Sequence, residues 1–93
     1  MRAKNENKSD LFFDGTELAK KFPGSFDGLK IHSSGNIFTT GPNGILVLSP
    51  AGKLLANIKF KDMLTNCAFD SDENYLYVTG FSIVARIALK NNI

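Results

Sequence analysis

Asp27 stands in the run Phe26-Asp27-Gly28-Leu29 and is the residue with the clearest chemical reading. A carboxylate is a hard oxygen donor suited to Ca²⁺, Mg²⁺, Mn²⁺ or Zn²⁺. Beside such an ion it can orient and deprotonate a water while the ion polarises a carbonyl. The Asp-Gly pair also has a structural reading, because an Asp before a Gly commonly caps a turn. The motif by itself leaves both open.

The other reactive side chains lack partners in the sequence. His32 is the only histidine, and a catalytic dyad or zinc site needs more His or Cys than this chain has. It is expected to be a solvent-facing turn residue beside Ser33, Ser34 and Gly35. Ser33, Ser34 and Ser49 have no Gly-x-Ser-x-Gly elbow around them, so serine-hydrolase chemistry has no sequence support. Gly41-Pro42-Asn43-Gly44 is followed by neither lysine nor helix, and reads as a hairpin turn rather than a phosphate loop. Asp70-Ser71-Asp72-Glu73-Asn74 lacks the glycine and spaced glutamate of an EF-hand and reads as a solvated turn. Asn66 reads as a turn or inner-rim residue with a backbone hydrogen bond. Cys67 is the single cysteine, so it has no internal disulfide partner; it is expected to be a packed thiol.

The elements that would carry these residues are short strands. Gly28–His32, Ile37–Thr40, Ile45–Ser49 and Lys53–Phe60 are each closed by a turn rich in Gly, Pro, Asn or Ser. Four strands in about 35 residues leave no room for crossovers, so they form an antiparallel meander, the unit of a propeller blade. Lys53, Lys59 and Lys61 cluster at the fourth strand and read as edge protection. Before the meander, Leu11-Phe12-Phe13 reads as a short strand, Asp14-Gly15 as a turn, and Thr16–Phe22 as one or two helical turns.

The unit then starts again. Thr65–Asp70 echoes the first strand, Asn74–Gly80 the second, and Ser82–Leu89 follows as a third. The offset is 38 residues from Ile31 to Phe69 and 39 from Gly41 to Gly80. A period of that size, with each repeat a small sheet, points to a propeller array. In the last strand Ile83, Ala85, Ile87 and Leu89 share one face, with Arg86 and Lys90 outward.

FDGLKIHSSGNIFTTGPNGILVLSPAGKLL and TNCAFDSDENYLYVTG resemble the C-terminal blades of the gluconolactonase, regucalcin (senescence marker protein) and luciferin-regenerating-enzyme-like superfamily. The resemblance covers roughly residues 12 to 89 and lies in the order of motifs: Asp-Gly-Leu, Ser-x-Gly-Asn, Gly-Pro-x-Gly, Ser-Pro-x-Gly-Lys-Leu-Leu, Thr-Asn-Cys-Ala-Phe, Leu-Tyr-Val-Thr. One departure is Phe26, where the family usually has Pro. The resemblance implies an all-β chain of about two four-stranded antiparallel blades from a six-bladed propeller. It also implies metal-dependent hydrolysis of a sugar lactone, with Asp27 as both metal ligand and catalytic base. The family's metal needs a Glu and an Asn from other blades, so the lone chain is expected to bind metal weakly and to hydrolyse lactones little or not at all.

These readings divide the chain into a disordered polar terminus (1–10), a remnant of a preceding blade with its connection (11–25), a blade (26–62) and an incomplete blade (63–93). Phe12, Phe13, Phe38, Leu46, Leu48, Leu55 and Tyr75–Val78 give more apolar surface than two packed sheets hide. A piece of a longer protein, three copies completing six blades, and a lone β-sandwich are the alternatives. Open faces that bind another chain, without catalysis, are the second function class. A net charge of +2 gives no footprint for nucleic acid. No apolar run is long enough to span a membrane, and MRAKNENKSD is followed by no signal-peptide core, so the chain as written is expected in the cytoplasm.

Overall fold

Two antiparallel sheets stacked face to face make up the protein. The computed structural model describes residues 10–22 and 24–89. A six-residue helix, α1 (Thr16–Lys21), precedes the first sheet. That sheet contains β1 (Leu29–Ile31), β2 (Ile37–Gly41), β3 (Gly44–Leu48) and β4 (Leu54–Lys59), in chain order. The second contains β5 (Leu64–Phe69), β6 (Tyr75–Gly80) and β7 (Val84–Ala88), also in chain order. The expected meanders are present, with four strands and three.

The turns follow from their residues. β2 and β3 close over Pro42-Asn43, with Gly41 opposite Gly44. Asn43 (φ 71°) and Gly44 (φ 120°) take left-handed backbone. At Gly44 a Cβ would lie 2.8 Å from the Phe60 nitrogen, so only glycine lets β4 pass this close. The pairing of β3 with β4 slips at Val47/Leu48, where Ala56 and Leu54 are the partners and Leu55 is left over. That bulge turns Leu55 outward, and it is half exposed. β4 is an edge of its sheet, and Lys53, Lys59 and Lys61 are exposed along it.

β2 and β3 are buried along their whole length, on both faces. One face carries Phe38, Ile45 and Val47 against Leu64, Cys67, Leu76 and Val78 of the second sheet. Phe38 is 0 % exposed and meets Phe69 edge-on at 5.1 Å between ring centres. Burial of side chains this size stabilises by about 1.5–3 kcal/mol each relative to exposure. The other face, with Leu29, Thr39 and Leu48, looks toward Phe12, Phe13 and Phe26, which line an apolar cleft against it.

Three expectations change. Leu11–Phe13 is not a strand; it runs as irregular chain, and its phenylalanines serve as side-chain cover over the first sheet. On the covered face Leu46 is fully buried and Leu48 nearly so, while Phe38 is buried on the other face against the second sheet, which takes these three out of the apolar excess. Apolar side chains stay open at that cleft, where Phe26 and Leu29 are about half exposed, and also at Leu11, Ile31 on β1, Leu54 and Leu55 on β4, Met63, Tyr77 on β6, and Phe81 and Val84 at β7. The third change, at His32, concerns the site. Most of the expected polar terminus lies outside the described residues, as does Lys90.

On β7, Ala85 and Ile87 turn inward and pack on the core, while Val84, Arg86 and Ala88 face out. Arg86 lies 4.2 Å above the Tyr75 ring, a cation–π contact on that outer face.

Candidate functional site

Asp27 lies in the link that enters β1, with its side chain exposed. Its main chain is held from beneath. Thr40, at the end of β2, is 0 % exposed, and its Oγ1 accepts the N–H of Asp27 (3.1 Å) and of Gly28 (2.9 Å). The Thr40 N–H donates to the Gly28 carbonyl at 2.9 Å, and the Thr39 hydroxyl donates to the same oxygen at 3.1 Å. Two adjacent threonines therefore fix the Asp-Gly turn. No hydrogen bond or ion pair among the described residues engages the Asp27 carboxylate. Among the described residues the turn-cap reading thus lacks its hydrogen bond, and the carboxylate is exposed above a turn held through its main chain.

Gly28 lies against Asn66 of the second sheet, so closely that a Cβ there would be 2.8 Å from the Asn66 Cα. Asn66 Oδ1 accepts the Cys67 N–H at 2.8 Å, the expected backbone bond, and lies 3.5 Å from Lys30 Nζ. The inner strands β1 and β5 thus meet beside Asp27. Cys67 is buried, its Sγ 3.7 Å from the Phe38 carbonyl. Burial pushes its thiol above the ordinary range, and the nearby Lys30 charge opposes that in part.

At the other end of β1, His32 is not the solvent-facing residue the sequence implied. Its side chain is 16 % exposed and its ring meets Phe69 edge-on at 5.2 Å. Nε2 lies 3.3 Å from Glu73 Oε1, and Nδ1 lies 2.9 Å from Ser34 Oγ. Glu73 also accepts the Ser33 N–H (2.9 Å) and the Ser33 hydroxyl. The Ser33 hydrogen bonds, together with His32, hold the Glu73 carboxyl below the usual glutamate range. Asp70–Asn74 is therefore more than a solvated turn: its Glu73 reaches across to the other sheet. Sequence spacing could not pair residues 40 positions apart, and the only local hint was the serine pair beside the histidine. Thr40 was missed for the same reason, since its role depends on the register of β1 and β2.

Among the described residues no three His, Cys, Asp or Glu side chains converge as a metal cage. Asp27 is one hard oxygen donor, not a ligand set, among the described residues. Among the same residues no helix is long and apolar enough to cross a membrane.

The profile of the SMP-30/gluconolactonase/LRE-like region matches residues 3–82. A gluconolactonase of Zymomonas mobilis is 32 % identical over 66 residues, which is 69 % of this chain and 18 % of that protein. A gluconolactonase from Xanthomonas campestris superposes with a TM-score of 0.73 at 23 % identity, over 87 % of this chain and 25 % of the other. A structural-genomics target solved as a candidate gluconolactonase gives 0.74 at 24 % identity, over 95 % and 29 %. These likenesses identify the two sheets as propeller blades. The chain spans well under a third of each relative's length.

Proposed function

The chain belongs to the SMP-30/gluconolactonase/LRE-like family, and on that premise we propose that it is part of a metal-dependent sugar-lactone hydrolase of six-bladed form. Asp27 is its contribution to the site: one carboxylate ligand for a divalent ion, calcium or its Zn²⁺, Mg²⁺ or Mn²⁺ substitutes, and the base for water attack. The observation that supports this is the free, exposed carboxylate on a turn whose amides Thr40 has already taken. A bound ion would supply Lewis-acid polarisation of the lactone carbonyl. The chain's own part is to hold the Asp27 oxygens at a fixed place and to take up a proton there. The remaining ligands belong to other blades.

The test is Mn²⁺ added to the isotope-labelled chain, read by paramagnetic broadening of amide resonances. Weak binding should broaden Asp27 and Gly28 first, and Asp27→Asn should abolish it. Broadening centred elsewhere would sink the assignment. Lactone hydrolysis by the pure chain should not exceed the metal-only background. Appreciable activity lost in Asp27→Ala would mean that the chain completes a site on its own or by assembly.

A second reading rests on the open apolar surface at β7, where Phe81 is 79 % and Val84 78 % exposed. It is a non-catalytic blade pair that self-associates, with three copies giving six blades. Light scattering separates the two, a clean trimer favouring assembly and a monomer excluding it.

A further inference from the structure

The cluster at the far end of β1 from Asp27 is distinct from the proposed metal ligand and has its own chemistry. His32 Nδ1 accepts the Ser34 N–H at 3.1 Å, so it carries the ring's lone pair, and Nε2–H faces Glu73. The Ser34 hydroxyl, 2.9 Å from Nδ1, accepts the Asn36 N–H at 3.3 Å and, with Nδ1 unprotonated, directs its own proton at Nδ1, sharing that lone pair with the Ser34 N–H. The His32 ring is wedged by Phe69 and Phe38, 5.2 and 6.0 Å away. Glu73 sits in left-handed backbone (φ 57°) and is tied to Ser33. An exposed hydroxyl on a base, with the base oriented by a third group, is the arrangement that activates a nucleophile.

We infer that Ser34, His32 and Glu73 form a relay that makes the Ser34 hydroxyl a nucleophile toward activated acyl donors, aryl esters or thioesters. In the step, Ser34 Oγ bonds to the acyl carbon and its proton passes to His32 Nδ1. The bond from that carbon to the leaving group then breaks. The leaving phenolate or thiolate departs with the electron pair and takes the proton from His32. Glu73 faces the imidazolium while it exists and holds the ring for the return of the proton. The product is an acyl ester on Ser34, which water then hydrolyses slowly.

The turn itself limits the donors. The N–H groups of Ser33, Ser34, Gly35 and Asn36 are all committed to acceptors within the turn or to Glu73. None is left to cradle an oxyanion, so esters with poor leaving groups should not react.

The experiment is incubation of the chain with p-nitrophenyl acetate, followed by peptide mass spectrometry. Ser49 is the internal control, a serine in a comparable turn whose hydroxyl caps Ala51 and Lys53 with no histidine attached. Acetylation should fall on Ser34 well ahead of Ser33 and Ser49. Ser34→Ala should remove it, and His32→Gln should slow it about 10²-fold, the usual scale of general-base assistance. Glu73→Gln should slow it less, in the same direction. Labelling of Ser34 no faster than Ser49 in the unaltered chain overturns the proposal without any variant having to fold. So does an unchanged rate in folded His32→Gln.

Discussion

Thr40 Oγ1 lies 3.1 Å from the Asp27 nitrogen and 2.9 Å from the Gly28 nitrogen, so one buried hydroxyl accepts both amides of the Asp-Gly turn. Thr40→Val keeps the shape and removes the acceptor. Two part-buried N–H groups then lose their partner, each at about 1–3 kcal/mol where water cannot reach it. Thr40→Ser keeps the oxygen and should lose only about 1 kcal/mol for the missing methyl. Urea unfolding gives the energies, and hydrogen exchange at Asp27 and Gly28 gives the local effect. Equal midpoints for Val and the parent chain would show that the hydroxyl does not hold the turn.

Glu73 links the two sheets, and its carboxyl is held below the ordinary value of 4.5. A depressed carboxyl stabilises the fold above its unfolded pKa and loses that contribution as pH falls through its folded one. The chain should therefore weaken below about pH 4.5 in a way that depends on Glu73. Glu73→Gln should be less stable at neutral pH and flatter across the acid range. Thermal melts from about pH 6 to about pH 3 check this. Parallel curves for the two proteins would remove Glu73 as the linking group.

The two meanders were legible because their information is local. Asn43-Gly44 and Ser34-Gly35 fix turns, and the strand-forming residues between them read as short strands; that β2 and β3 are buried on both faces was not part of that reading. The family resemblance rested on those same turns. Contacts set by packing were not legible. Leu11–Phe13 has the composition of a strand, yet it pairs with neither edge of the first sheet, and its phenylalanine rings cover a face instead. His32 looked solitary because its carboxylate partner, Glu73, is 41 residues away beside the other sheet. Asp27 could be named from the motif, but its rigid support could not, since Thr40 reaches it only through sheet register.

Cys67 should be inert in the folded chain. It is 3 % exposed, and burial raises its thiol pKa, which lowers the thiolate fraction. A disulfide reagent at about pH 8 should react with it at the rate of global or sheet-separating opening, and at once in denaturant. Lys30→Gln removes the charge that partly opposes the rise, so native reactivity should fall further. Rapid native labelling would mean that β5 separates from β2 far more often than this packing allows.

Phe38 is the side chain whose loss should part the two sheets. It is 0 % exposed, pairs on its own sheet with Lys30 and Val47, meets Phe69 across the core and has His32, at the end of β1 on its own sheet, beside it. Phe38→Ala removes those contacts and opens a cavity, at about 3–5 kcal/mol. For a domain whose whole stability is about 5–15 kcal/mol, that brings many molecules near the unfolding threshold. Phe38→Leu refills most of the space and should cost less, though it loses the edge-on aromatic pair, worth about 0.5–1.5 kcal/mol. Native-state hydrogen exchange distinguishes local from shared damage. Leu76 and Val78 lie on the other sheet in the same cluster, so their amides should lose protection along with those of β2. Retained protection at β6 in Phe38→Ala would mean that the second sheet stands without the first.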